Sequence, residues 1–243
     1  PMLTSGRTRR IVTDALTQRE EDMASLAIDV FWSFRSPWSY LATPRLRAWQ
    51  ERYDLEVRFR PVYPIAIRTP EFFLNVHPLW MSYFQRDLAR VAEYLELPLA
   101  WPDPDPVSQY RDENGRPRTS DVQPHIHRLT RIGVAAAEQG RGIEFADEVS
   151  RLIWQGTRNW HEGEHLAEAT ARAGLDLASL DRTERQETER LEGAIEQNQQ
   201  DHEAAGHWGV PTCAFEGEPF FGQDRLDVLL WRLEKAGLEE RAG

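Results

Sequence analysis

The strongest constraint on how this chain can fold lies between residues 27 and 39. The run Ala27-Ile28-Asp29-Val30-Phe31-Trp32-Ser33-Phe34 is nearly continuous in apolar content, which suits a strand buried on both faces. It ends in Ser36-Pro37-Trp38-Ser39, and Pro37 fits the first turn of a helix, where its missing N–H costs nothing. The two serines stand at the spacing that separates the cysteines of a redox turn, yet neither can form a disulfide. Cys213 is the single thiol in the chain. Dithiol chemistry is therefore excluded at this strand-to-helix turn.

The flanking pattern extends the unit. The helix should run to about Arg52 with Leu41, Ala48 and Trp49 facing inward and a kink at Pro44. Leu55 to Arg60 alternates strictly and reads as a second strand. Strand, helix and strand in that order make a right-handed parallel unit. From Tyr63 to about Ala205 the period changes to that of helices. Met81–Leu97 carries a stripe of Phe84, Leu88, Val91 and Leu95, and further helices are expected over His125–Gln139, Ile143–Trp154, Gly163–Ala173 and Thr183–Glu203. Trp101 to Pro106 breaks regular structure, and Asp112–Ser120 reads as an exposed loop.

After Gly209 the strand signal returns in Thr212–Phe215. Glu216-Gly217-Glu218 turns the chain into an edge strand over Pro219–Phe221, and Asp224 opens a last helix with Leu226, Leu229, Leu230 and Leu233 on one stripe. The expected architecture is α/β: residues 26–62 and 206–243 share one sheet, 63–205 form a helical insertion, and 1–25 form an extension with a short helix over Thr13–Met23.

At 243 residues the chain can bury a substantial core without staples. A formal net charge of -11 argues against sequence-independent nucleic-acid binding, which needs a basic face. No apolar run approaches the roughly 20 residues that span a bilayer, and no apolar segment of a signal peptide follows Arg7, Arg9 and Arg10. One cysteine fits a reducing compartment, so a soluble, cytoplasmic protein is expected. Met23, just ahead of the first strand, is an alternative start to Met2.

The chemistry gathers at three separated segments. Ser36 at a helix N-terminus serves as an N-cap on its own. In company with the other two segments it suits a second task, donating its O–H to the thiolate of a bound cofactor where the helix dipole already favours negative charge. Val210-Pro211 is the second segment. Only X-Pro bonds readily become cis, and a cis bond here would present the Val210 N–H and C=O to a peptide-like ligand as an added strand. The third is Gln223-Asp224-Arg225. Asp224 caps the last helix or binds an amino group, while Arg225 faces a carboxylate.

Ser33-Phe34-Arg35-Ser36-Pro37-Trp38-Ser39-Tyr40-Leu41-Ala42, Gly209-Val210-Pro211-Thr212 and Phe220-Phe221-Gly222-Gln223-Asp224-Arg225-Leu226-Asp227 together resemble the DsbA-like superfamily branch that contains 2-hydroxychromene-2-carboxylate isomerases and kappa-class glutathione transferases. The resemblance covers about residues 26 to 236. It implies a thioredoxin fold with a helical insertion, glutathione as cofactor, and a homodimer. By motif position Ser36 meets the glutathione sulfur, Val210 pairs with its cysteinyl backbone, and Gln223 and Asp224 hold its γ-glutamyl end. The family's Asn-Lys-Pro-Pro-like segment after the second strand is replaced here by Ile67-Arg68-Thr69-Pro70-Glu71-Phe72-Phe73. Arg35 and Arg68 are the candidates for the positive charge this replacement removes.

His161-Glu162-Gly163-Glu164-His165 matches the H-E-x-x-H zinc pattern, but Gly163 interrupts it and no third ligand follows at a characteristic spacing, so no metal is expected. His125 and His127 suit capping or pocket roles. Cys213 reads as an inert core residue. Trp32, Trp80, Trp101, Trp154, Trp160 and Trp208 are core by default, whereas Trp38 in the site turn would wall a pocket for an aromatic-derived small substrate. These readings point to a glutathione-dependent isomerase acting on an unsaturated aromatic-derived acid by reversible thiolate addition. The alternatives are a kappa-like transferase and a non-enzymatic thiol- or peptide-binding module.

Overall fold

The computed structural model describes residues 25–241, so the helix expected over Thr13–Met23 lies outside the described residues. Strand β1 (Leu26–Trp32) leads into helix α1 (Pro37–Arg52) and strand β2 (Leu55–Pro61). Three helices follow: α2 (Ile65–Arg68), α3 (Phe72–Asn75) and α4 (Leu79–Tyr94). Next come a small hairpin, β3 (Gln109–Arg111) with β4 (Pro117–Thr119), and the helices α5 (Ile126–Glu138), α6 (Gly142–Trp154), α7 (His165–Arg172), α8 (Leu177–Gln186) and α9 (Thr188–Ala204). Strands β5 (Thr212–Phe215) and β6 (Glu218–Phe221), a 3₁₀ turn over Gln223–Arg225 and helix α10 (Leu226–Lys235) complete the chain. No described helix is long and apolar enough to cross a membrane.

The sheet order is β2-β1-β5-β6. β1 pairs in parallel with β2, from Leu26 opposite Leu55 to Trp32 opposite Pro61, and antiparallel with β5, Val30 facing Cys213. β5 and β6 pair antiparallel with Cys213 opposite Phe220. Alternation along β1 divides two cores. Ile28, Val30 and Trp32 join the large core built with the helices, while Phe31 packs with Val62 and Ala214 on the other face. That second face is polar at its middle, where Arg60 meets Asp29 at 2.8 Å.

The three most deeply buried indoles each find an acceptor, as desolvation demands. Trp32 donates to Thr43 Oγ1 at 2.9 Å, Trp154 to the Phe34 carbonyl at 3.2 Å, and Trp160 to the Pro104 carbonyl at 2.8 Å. The Trp154 bond ties α6 of the insertion to the end of β1. At its other end α6 lies close against β2: a Cβ at Gly142 would lie 2.6 Å from the Phe59 Cβ.

Several local expectations differ from the structure. Ala48 is exposed, and Leu46 takes the inward place on α1. Asp112–Ser120 is largely the β3–β4 hairpin. The Asp112 carboxylate accepts the Asn114 and Arg116 N–H groups at 3.0 and 2.9 Å, which holds its pKa at about 2 and closes the turn beside Gly115. The helix expected over Thr183–Glu203 is two helices meeting at Glu187, and the first starts early because Asp176 caps it through the Ala178 and Ser179 amides. Trp101 and Trp208 are 55% and 51% exposed, so neither belongs to the core. Asp224 lies inside the 3₁₀ turn; it does not cap the last helix.

Two glycine substitutions should move stability in opposite directions. Gly142→Ala overpacks the Phe59 contact and should cost about 1–3 kcal/mol. Gly193→Ala, inside α9 with open space around it, should stabilise by up to about 1 kcal/mol. Urea unfolding checks both signs.

Candidate functional site

The carboxyl end of β1, the start of α1 and the approach to β5 converge at one edge of the molecule. Ser36 caps α1 by accepting the Ser39 N–H at 3.1 Å, and its own hydroxyl donates to the Val210 carbonyl at 3.2 Å, joining residues 174 positions apart. Val210-Pro211 is a cis peptide. Ser39 is buried, and its Oγ has no hydrogen-bond partner. Both serines that occupy the redox spacing are thus placed by α1, one at the surface of the site and one beneath it.

The backbone of 208–211 is held at each carbonyl. Arg68 Nη2 donates to Trp208 at 2.8 Å, Thr212 Oγ1 to Gly209 at 2.6 Å, Ser36 Oγ to Val210, and the Gly222 N–H to Pro211 at 2.9 Å. The Val210 N–H makes no hydrogen bond among the described residues. A half-buried donor left open beside a helix N-terminus is the group an extended ligand would complete.

The two arginines differ. Arg35 forms a bidentate pair with Asp105, both bonds 2.9 Å, reaches Gln109 at 3.2 Å and lies over the Phe73 ring at 5.7 Å. Its charge is therefore matched within the chain. Arg68 makes no ion pair among the described residues; its Nε donates to the Tyr63 carbonyl at 2.7 Å, and burial lowers its pKa from the usual arginine range. Gln223 is half-buried and follows Gly222, whose amide binds Pro211. Asp224 and Arg225 are exposed and pair with each other at 2.9 Å.

An arc of aromatic rings links the two loops of the site. Trp208, two residues before Val210, meets Phe72 at 5.4 Å between centroids, Phe72 meets Trp80 at 6.1 Å, Trp80 stacks on Phe84 at 5.0 Å, and Phe84 meets Trp38 at 5.8 Å. Trp38 lies two residues after Ser36, so the arc begins and ends beside the Ser36–Val210 contact. Of these rings only Trp38 was singled out from the sequence as a site residue. The density of aromatics at Phe72, Phe73, Trp80 and Phe84 was the available signal for the others. Asp105 carried no signal, since its role depends on the fold bringing it to Arg35.

The described residues match the model of the DSBA-like thioredoxin domain family over residues 27–234. The chain belongs to that family. Among structures similar to this DSBA-like chain is 2-hydroxychromene-2-carboxylate isomerase, with a TM-score of 0.63 and 21% identity over 86% of this chain and 95% of that one. A probable DsbA oxidoreductase from Streptomyces coelicolor has a TM-score of 0.58 and 17% identity, covering 87% and 89% of the two chains. The cytosolic disulfide reductase DsbM from Pseudomonas aeruginosa, solved with GSH, has a TM-score of 0.56 and 20% identity, covering 86% and 100%. At these identities the likeness speaks for the fold. No curated protein matches the chain.

Other sequence features sit away from this edge. His161 lies in a turn and His165 opens α7, so the two do not share a helix face; the His161 ring instead lies 4.4 Å from that of His125. His127 meets the edge of Tyr63 at 4.8 Å. Cys213 is buried in β5, and burial pushes its thiol up to about 12. With serines at 36 and 39 and an inert thiol at 213, this DSBA-like chain should not accelerate insulin reduction by a small-molecule dithiol. Turbidity assays check this, and acceleration that persists in Cys213→Ala would overturn it.

Proposed function

We propose that the protein is a glutathione-dependent isomerase acting on an unsaturated, aromatic-derived acid. The observation that carries this reading is the meeting of the Ser36 hydroxyl, at the N-terminus of α1, with the backbone of Val210, whose N–H is open. Bound glutathione would supply a thiolate that adds to a conjugated double bond, leaves a rotatable single bond, and departs unchanged after rotation. The residues present fit such a ligand. Val210 offers a backbone edge, Gln223 and Asp224 stand at the next turn, and the aromatic arc walls the space between the loops.

Ser36 has two partners for one proton. In the free protein its hydroxyl donates to the Val210 carbonyl. Where a bound thiolate approaches, the hydroxyl can rotate from this carbonyl to donate to it alongside the α1 dipole, leaving the carbonyl to a ligand N–H. Ligand pairing and thiolate stabilisation are coupled through one oxygen atom. Arg68 has no carboxylate partner among the described residues and supplies the charge for a carboxylate, whereas Arg35 is already matched by Asp105. Trp38, Phe84 and Trp80 offer faces to a planar ring.

Ser36→Ala should lower turnover by roughly 10²-fold and raise the pKa of the bound thiol, at a cost of about 1 kcal/mol of stability from the lost cap. Ultraviolet thiolate absorbance and steady-state rates test this together, and an alanine variant with the parent's rate and absorbance removes Ser36 from the mechanism. Unconsumed glutathione at full substrate conversion marks isomerisation; stoichiometric consumption would mark a transferase.

Asp224→Ala should weaken glutathione binding roughly tenfold, because a charged hydrogen bond to the γ-glutamyl amine is lost at an exposed position. Since Asp224 caps no helix, its stability should hardly change. Calorimetric titration returning equal affinity for variant and parent would exclude Asp224 from the ligand site.

A further inference from the structure

The segment that presents Val210 is positioned from outside the site by a histidine. His207 Nδ1 accepts the Gly209 N–H at 2.9 Å, and its ring stacks on Phe221 of β6 with centroids 4.0 Å apart and planes 19° apart. Gly209 is pressed into this stack. A Cβ there would overlap the Phe221 ring and lie 3.0 Å from His207 Cε1. The Gly209 carbonyl is fixed by Thr212 Oγ1, so the peptide groups on both sides of Gly209 are held, one of them by an imidazole nitrogen.

We propose that His207 is a positioning residue for the ligand-pairing edge at Val210, and that protonation of its Nδ1 unlocks that edge. An imidazole nitrogen accepts only while unprotonated. The bond therefore exists above the folded pKa of His207 and is lost as pH falls through it. Burial lowers that pKa from the ordinary histidine value, so the edge stays locked at neutral pH.

The titratable and charged groups around the segment sharpen the assignment. His202 on α9 is fully buried and stacks on Phe31 at 4.7 Å; burial, with Arg68 and His207 nearby, holds its pKa down to about 4. Arg68 on α2 is spread over the Tyr63 and Trp208 carbonyls, with Glu203 of α9 acting on it. On β6, Glu218 is turned to Arg232. His207 is thus the group whose ring nitrogen bonds the Gly209 amide and gains charge as pH falls through its lowered pKa.

The inference rests on the proposed role of Val210, and its test separates the two. Two substitutions divide the functions of the ring. His207→Phe keeps a flat ring against Phe221 and removes the acceptor. His207→Asn supplies a non-titrating oxygen that can bond the backbone N–H two residues on, as asparagine does in turns. In the free full-length protein, NMR of the Gly209 and Val210 amides from about pH 7.5 to 5 should follow the His207 ring, with a midpoint below about 6.5. His207→Phe should speed Gly209 amide exchange by roughly threefold to tenfold at neutral pH and abolish the titration. His207→Asn should keep the protection and show no titration.

S-methylglutathione, which has no thiol to titrate, probes the edge itself. Its affinity for the parent should fall roughly threefold to tenfold across the same titration and stay flat for His207→Asn. Parent-like amide protection in His207→Phe, or a parent-like amide titration in His207→Asn, overturns the assignment even if one variant fails to fold. Absence of S-methylglutathione binding at every pH would instead count against the glutathione reading, leaving the amide measurements to judge His207.

Discussion

The burial of β1 between a local partner and a distant one is the constraint on which the rest depends. β2 is reached through a single helix, whereas β5 arrives only after the whole insertion, and both must pair with the same seven-residue strand. Its backbone is paired with β2 from Leu26 to Trp32 and with β5 over Asp29–Phe31, the stretch that is covered on both sides. The chain leaves the sheet at Trp32, and Ser33 to Ser36 must turn into α1 while the segment before β5 passes alongside. The functional edge is the place where that turn and that segment share hydrogen bonds. It lies outside the carboxyl ends of the parallel pair, where open α/β sheets collect ligands.

Sharing explains why a serine serves where a redox protein would place cysteine. As a cap, Ser36 needs only to accept from the Ser39 amide. Its remaining proton is free to bridge to the other half of the chain, a task that a weak S–H donor performs poorly. The result is a site whose structural closure and proposed chemistry use the same oxygen. Cys213 is separated from this chemistry by burial in β5, facing Val30 across the sheet.

The sheet was legible because its signals are local: the apolar run of β1, the alternation of β2 and the Gly217 turn between β5 and β6 each fix their own geometry. The long helices of the insertion were legible for the same reason, through their apolar stripes. What escaped depended on side chains acting over short stretches. Asp112 folds a hairpin and Asp176 begins a helix by binding amides two to four residues ahead, effects that periodicity does not register. The site showed the same division. Ser36, Val210 and Pro211 lie in motifs, but the pairing of Arg35 with Asp105 and the arc from Trp38 to Trp208 exist only once α2 to α4 are folded over the sheet edge.

That covering segment also decides what the edge can accept. Asp105 neutralises the arginine nearest Ser36 and holds it against Phe73, which leaves the wall beside the site turn apolar and without net charge. Arg68, anchored on the Tyr63 and Trp208 carbonyls, makes no ion pair among the described residues. Under the proposed function, an acid with a flat apolar body would take its carboxylate toward Arg68 and its ring toward Trp38. The partial burial of Arg68 strengthens that preference, because a cation withdrawn from water gains more from an anionic partner than an exposed one does. The same Arg68 bonds the Trp208 carbonyl next to the His207–Gly209 contact, so a guanidinium and an imidazole hold one stretch of backbone ahead of Val210.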